Sequence, residues 1–195
     1  MVTLVLGLVL FLGVHSVRIV ADRWRTAMVA SVGEKVWKGV VALVAIAGFL
    51  LIVVGFGLAR QNPHQLWGAP PAATKHLAAL LALVAFVLLA AAYVPGNSLK
   101  ARLHHPMALG VAFWSLGHLL ANNQSRDVVL FGAFLAWSVI DFRSSWQRDA
   151  KAGTVYPPGS GAGTAMAVVA GVVAWAAFAF WLHGPLIGVR PFAPV

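Results

Sequence analysis

Six long apolar segments, separated by short polar connectors, make up most of this chain of 195 residues. About 20 consecutive apolar residues in a helix can cross the ~30 Å hydrocarbon core of a bilayer. The segments are too long and too uniformly apolar for the alternating strands of a membrane β-barrel. They predict six membrane-spanning helices, at about residues 1–20, 39–58, 76–94, 106–121, 127–141 and 164–183. We therefore expect an all-α, polytopic membrane helix bundle that forms a single domain over residues 1–195.

The composition supports a membrane protein. Hydrophobic residues make up 61% of the chain and charged residues only 10%, whereas a soluble domain carries about 25% charged residues. The formal net charge is +9, which in a soluble protein would suggest nucleic acid as the partner. Here the basic residues lie between apolar segments, so we expect contact with anionic membrane lipids and no nucleic acid. Since cysteine is absent, a c-type haem attachment and a thiolate metal site are excluded.

The distribution of basic residues predicts the orientation. The first, third and fifth connectors hold most of the Lys and Arg residues. Cytoplasmic loops carry the excess of these residues, so we expect both termini to lie outside the cytoplasm. The first apolar segment is short, and if it did not span the bilayer, the orientation would invert or the N-terminus would be re-entrant.

Two histidines, His15 and His118, lie inside apolar segments. An ionisable residue within a membrane span is costly and is by default a candidate for function. One interpretation is that both imidazoles ligate a b-type haem held between helices, with His105 as the substitute ligand. The other is that each imidazole forms a hydrogen bond to a carbonyl or hydroxyl group on a neighbouring helix.

The stretch 99–123 contains further candidate chemistry. Pro106 suits the first turn of a helix, so the fourth span is expected to begin at the step His104-His105-Pro106. Arg102 and His105 would then form a basic patch at a helix start, suited to a phosphate or carboxylate group. The patch is equally explained as a cluster that sets the topology. Acidic residues are few, and no nucleophile triad, phosphate-binding loop or zinc spacing is present.

Five short motifs carry a family resemblance over most of the chain. They are 13–15 (GVH), 93–100 (YVPGNSLK), 103–110 (LHHPMALG), 113–122 (FWSLGHLLAN) and 130–137 (LFGAFLAW). With these motifs the chain resembles the NnrU family, bacterial multi-pass membrane proteins linked to nitrite and nitric oxide reduction. Plant 15-cis-ζ-carotene isomerase is a more distant relative. The chain departs from the family pattern at His104, where the family has arginine, and at Asn123, where it has glycine.

The resemblance implies a location in the bacterial inner membrane and a b-type haem whose axial ligands fall on His15 and His118. It also implies an accessory or sensing role in denitrification, with nitric oxide as a partner. The alternative is a haem-dependent cis–trans isomerase that acts on 15-cis-ζ-carotene or a similar apolar polyene. The His-Pro step is also similar to membrane methyltransferases, but the paired glutamates of those enzymes are missing from residues 141–146. No catalytic residue is assigned.

Overall fold

A computed structural model describes residues 1–192. Apart from two isolated bridges, regular structure in this range is helical. The α-helices are α1 (Val2–Val20), α2 (Asp22–Val32), α3 (Glu34–Arg60), α4 (Ala72–Tyr93), α5 (Ser98–Leu103), α6 (Pro106–Ala121), α7 (Ser125–Ala152), α8 (Gly161–Ala177) and α9 (His183–Ile187). A π-helical turn, Phe178–Leu182, joins α8 to α9.

The prediction of an all-α protein with several membrane spans is confirmed. Within residues 1–192, five helical segments are long and apolar enough to cross a membrane: Val2–Val20, Glu34–Arg60, Ala72–Tyr93, Ser125–Ala152 and Gly161–Ile187. The fourth predicted span, α6, has the predicted bounds but only 16 residues. At 1.5 Å per residue it is about 24 Å long, shorter than the ~30 Å core. The sidedness of the spans stays a prediction.

Two polar connectors contain more helix than the hydropathy pattern predicts. The first connector forms α2, and the fifth span continues beyond Asp141 as far as Ala152. No proline or glycine interrupts either stretch, and α7 ends at Ala152, directly before Gly153, whose φ of 61° favours glycine. Hydropathy reports which residues lie in lipid, whereas a helix continues until a residue ends it.

The described chain forms two compact units. Residues 1–68 and 123–137 form the first, and residues 69–122 and 138–192 form the second. In the first unit α1 packs against α3 through glycines. A Cβ atom at Gly7 would lie 2.5 Å from the Ile52 nitrogen, and one at Gly48 would lie 2.7 Å from the Phe11 nitrogen. Small residues of this kind let membrane helices approach closely.

In the second unit α4 packs against α6 and α8. A Cβ atom at Gly110 of α6 would lie 3.0 Å from the Ala85 carbonyl oxygen. Gly171 of α8 is in contact with the Val87 backbone. The alanines Ala85 and Ala167 are fully buried. The core of this unit is therefore built from small residues, which brings the helix that carries His118 close to its neighbour.

Replacing Gly55 with alanine is expected to destabilise the first unit by about 1–3 kcal/mol, because the new Cβ would overlap the Leu4 backbone. Gly57, on the same helix, has open space within 4 Å and provides the matched control. Gly57→Ala should be neutral or slightly stabilising, since alanine favours helix more than glycine does. Thermal unfolding of both variants in detergent measures the difference. Equal midpoints for the two variants would contradict this packing.

Candidate functional site

The step between α5 and α6 is a strained turn. His104 has φ 59° and ψ −51°, and the His105 N–H donates to the Leu103 carbonyl at 2.6 Å. A hydrogen bond from residue i+2 to residue i with positive φ at the centre is a rare, strained γ-turn. Pro106 follows at the first turn of α6, as predicted. Strained backbone of this kind persists only where surrounding contacts hold it.

Two aromatic rings hold His104 in this turn. Its imidazole stacks on Trp146 of α7 at 4.4 Å and 11°, and on Tyr156 of the following loop at 4.1 Å and 10°. The Nδ1 atom of His104 is buried and has no hydrogen-bond partner among the residues that the structure describes. The stacking therefore fixes the ring by its faces rather than by hydrogen bonds.

His105 belongs to a hydrogen-bonded group with Asp149 and Tyr156. Its Nε2 atom lies 2.8 Å from Asp149 Oδ2, and the Tyr156 hydroxyl donates to the same oxygen at 2.7 Å. Because a carboxylate accepts hydrogen bonds, the Nε2 atom of His105 carries a proton and donates it to Asp149. Burial, followed by the hydrogen bond to Asp149, raises the pKa of Tyr156 to about 12, so the phenol stays a donor at neutral pH.

Arg102 lies elsewhere on the surface of the second unit. Its side chain is exposed and lines a shallow groove between α5 and α8, together with Ser98, Thr164 and Val168. His105 does not line this groove. The basic patch of Arg102 and His105 at the start of α6 stays a prediction.

His15 lies on α1 in the first unit. Its Nδ1 atom is 2.6 Å from the Phe11 carbonyl oxygen, one helical turn earlier. The ring meets Trp137 edge to face, with the centroids 6.0 Å apart. The indole N–H of Trp137 is buried and has no acceptor within residues 1–192. His15 itself is exposed, so its imidazole ring is accessible to a planar group.

His118 lies on α6 in the second unit. Its Nδ1 atom is 2.9 Å from the Trp114 carbonyl oxygen, again one turn earlier on the same helix. A carbonyl oxygen only accepts, so Nδ1 of each embedded histidine carries a proton, and in the neutral imidazole the lone pair is then on Nε2. The Nδ1 atom of each of these two histidines thus donates to a carbonyl group of its own helix.

Neither embedded histidine belongs to a multidentate ion site in the described part of the chain. In residues 1–192 no group of three or more His, Asp or Glu side chains could hold a metal ion. An axial haem ligand needs only one imidazole on each side of the iron. Pairing of His15 with His118 stays a prediction, because the two residues belong to different units.

Sequence reasoning missed Asp149 and Tyr156. They lie 44 and 51 positions after His105, and no periodic pattern connects them to the His-His-Pro step. Asp149 occurs within a run of charged and polar residues that is typical of a solvated connector. The only available signal was the shortage of acidic residues, 5 in the whole chain, which makes each of them a candidate partner for a histidine.

Comparison with known families shows that the chain matches the family described as NnrU protein over residues 3–191. The match covers nearly the whole chain. Comparison with curated proteins and with solved structures gives no significant match.

Proposed function

Because the chain belongs to the NnrU family, we propose that it binds a b-type haem and supports nitrite and nitric oxide reduction as an accessory or sensing protein of the bacterial inner membrane. His15 and His118 are the proposed axial ligands. Two observations support the proposal. The first is the family membership, since the resemblance implies this role, and the second is the local geometry of two histidines in otherwise apolar helices.

One observation carries the cofactor part of the proposal: each imidazole directs Nδ1 to the carbonyl of the residue four positions earlier, at 2.6 Å for His15 and 2.9 Å for His118. Metal-ligating histidines almost always donate their second ring N–H to a carbonyl, carboxylate or water, which fixes the tautomer. Both rings therefore have the tautomer in which Nε2 can ligate iron. When bound, the haem supplies a redox-active iron held by neutral imidazole ligands.

Two further residues fit a bound group with carboxylates. The buried Trp137 indole N–H, beside His15, lacks an acceptor within the described chain, and a haem propionate would provide one. The exposed Arg102 is a second candidate for an anionic substituent. His105 remains the substitute ligand, but it would have to use Nδ1, because its Nε2 donates to Asp149.

A deletion strain tests the role in denitrification. We expect the strain to accumulate nitric oxide during growth on nitrite, and we expect the wild-type chain on a plasmid to restore turnover. Normal nitric oxide turnover in the deletion strain would contradict the proposal.

The alternative function, a cis–trans isomerase, is tested in cells that accumulate tri-cis-ζ-carotene in the dark. Loss of the central cis bond on expression of the chain would identify an isomerase and overturn our first choice.

A further inference from the structure

A second candidate site lies in the first unit, where α3 ends and α7 begins. Arg126, in the first turn of α7, has a side chain that is only 16% exposed. Its Nε and Nη1 atoms are buried and make no hydrogen bond within residues 1–192. Removing a guanidinium group from water while its N–H donors stay unpaired is energetically unfavourable. These donors lack an acceptor among the residues that the structure describes.

Asp127 does not fill this requirement. Its Oδ1 atom lies 3.8 Å from Arg126 Nε, which is close enough for an ion pair and too far for a hydrogen bond. The Asp127 side chain is itself 6% exposed. The neighbouring carboxylate thus lowers the electrostatic cost of burying Arg126 but leaves its two donors unsatisfied.

A second arginine makes the local charge positive. The guanidinium carbons of Arg60 and Arg126 lie 5.2 and 5.8 Å from the centroid of the same phenyl ring, that of Phe56. Asp127 interacts electrostatically with both arginines. Two cations therefore share one carboxylate and one aromatic ring, and the cluster carries a net charge of about +1 at neutral pH.

We propose that this cluster, formed by Phe56, Arg60, Arg126 and Asp127, binds a phosphate-type oxyanion. Guanidinium groups match the acceptor geometry of phosphate, and charge-assisted hydrogen bonds of this kind are about twice as strong as neutral ones. The cluster lies at the ends of two membrane-spanning helices, the depth at which lipid phosphates occur. The ligand is accordingly free phosphate or the phosphate of an anionic lipid headgroup, and it binds independently of haem.

Calorimetry on the full chain in a maltoside detergent, which contains no phosphate, tests free phosphate, with chloride at equal ionic strength as the reference. We expect saturable binding of inorganic phosphate and none of chloride. The dissociation constant should rise at least about tenfold in Arg126→Gln, since hydrogen bonds to charged groups are worth about 1.5–3 kcal/mol. Arg23→Gln, which removes the same charge from an exposed residue of α2, is the matched control and should bind like the wild type.

Native mass spectrometry from nanodiscs of phosphatidylcholine and phosphatidylglycerol tests the lipid source. Retention of this lipid by the wild type and by Arg23→Gln, with loss in Arg126→Gln, would assign the site to a lipid headgroup. The wild-type chain alone can overturn the proposal if it neither binds phosphate above chloride nor retains phosphatidylglycerol. Equal binding by wild type and Arg126→Gln in both experiments would overturn it as well. Arg126→Lys keeps the positive charge but lacks the planar set of N–H donors of a guanidinium group. Its affinity should therefore lie between those of the wild type and Arg126→Gln.

Discussion

Purified His118→Ala protein is expected to lose the haem absorption that the wild type shows, and His15→Ala is expected to lose it or to show a changed spectrum. Two neutral imidazoles would fill both axial positions of the iron, so the ferric wild type should be low-spin. Removing one ligand leaves a position for water and changes the spin state even if the haem stays bound. The absorption spectrum of each variant, purified after expression with haem supplied, measures both effects.

His76→Ala is the matched control for these variants. His76 is an exposed histidine at the start of α4, so its loss should leave the spectrum unchanged. Haem that survives unchanged in both His15→Ala and His118→Ala would show that the ligand assignment is wrong. Wild-type protein without any haem under the same conditions would remove the cofactor from the proposal.

A substitution that keeps the Nδ1 hydrogen bond of a proposed ligand provides a second control. The Nδ1 hydrogen bonds of His15 and His118 go to backbone carbonyls, which a side-chain substitution on Phe11 or Trp114 leaves in place. Second-shell hydrogen bonds of this kind hold a ligand in orientation. Trp114→Phe should therefore preserve haem binding, in contrast to His118→Ala, although its ring lies 5.2 Å from that of His118.

The features predicted from the sequence were those with local causes. The spans follow from hydropathy, and the start of α6 at Pro106 follows from the preference of proline for the first helical turn. The length of α7 was underestimated because the polar residues after Asp141 continue a helix that hydropathy does not detect. Each of these results depends on residues within one or two turns of each other.

Features with distant causes were not predicted. The positive φ of His104 is held by Trp146 and Tyr156, both more than 40 positions away. The unpaired donors of Arg126 become visible only when Phe56 and Asp127 are placed around them. A single sequence contains no record of such contacts, since the approach of α7 to the His-His-Pro turn depends on the whole fold of the second unit.

Asp149→Ala is expected to destabilise the second unit by about 2–4 kcal/mol. The carboxylate accepts hydrogen bonds from His105 and Tyr156 on one oxygen, and the alanine variant leaves both donors without their acceptor. Hydrogen bonds to a charged group contribute about 1.5–3 kcal/mol each, and the partial exposure of the two side chains, 24% for His105 and 20% for Asp149, reduces the sum. Thermal and denaturant unfolding in detergent measure the loss. Asp22→Asn, which removes an exposed ion pair to Arg18, should change stability by less than about 1 kcal/mol.

The titration of Tyr156 separates a lost hydrogen bond from general loosening of the fold. The wild-type pKa of about 12 lies above the ordinary value of 10.0, so the phenol stabilises the folded state fully below about pH 10 and loses that contribution as the pH rises through 12. In Asp149→Ala the pKa should fall but stay above its ordinary value, since burial, the larger cause, persists. Phenolate absorbance in a Tyr93→Phe background isolates Tyr156, because the chain has only two tyrosines. An unchanged pKa in the folded Asp149→Ala protein would show that the carboxylate does not hold the loop over the His-His-Pro turn.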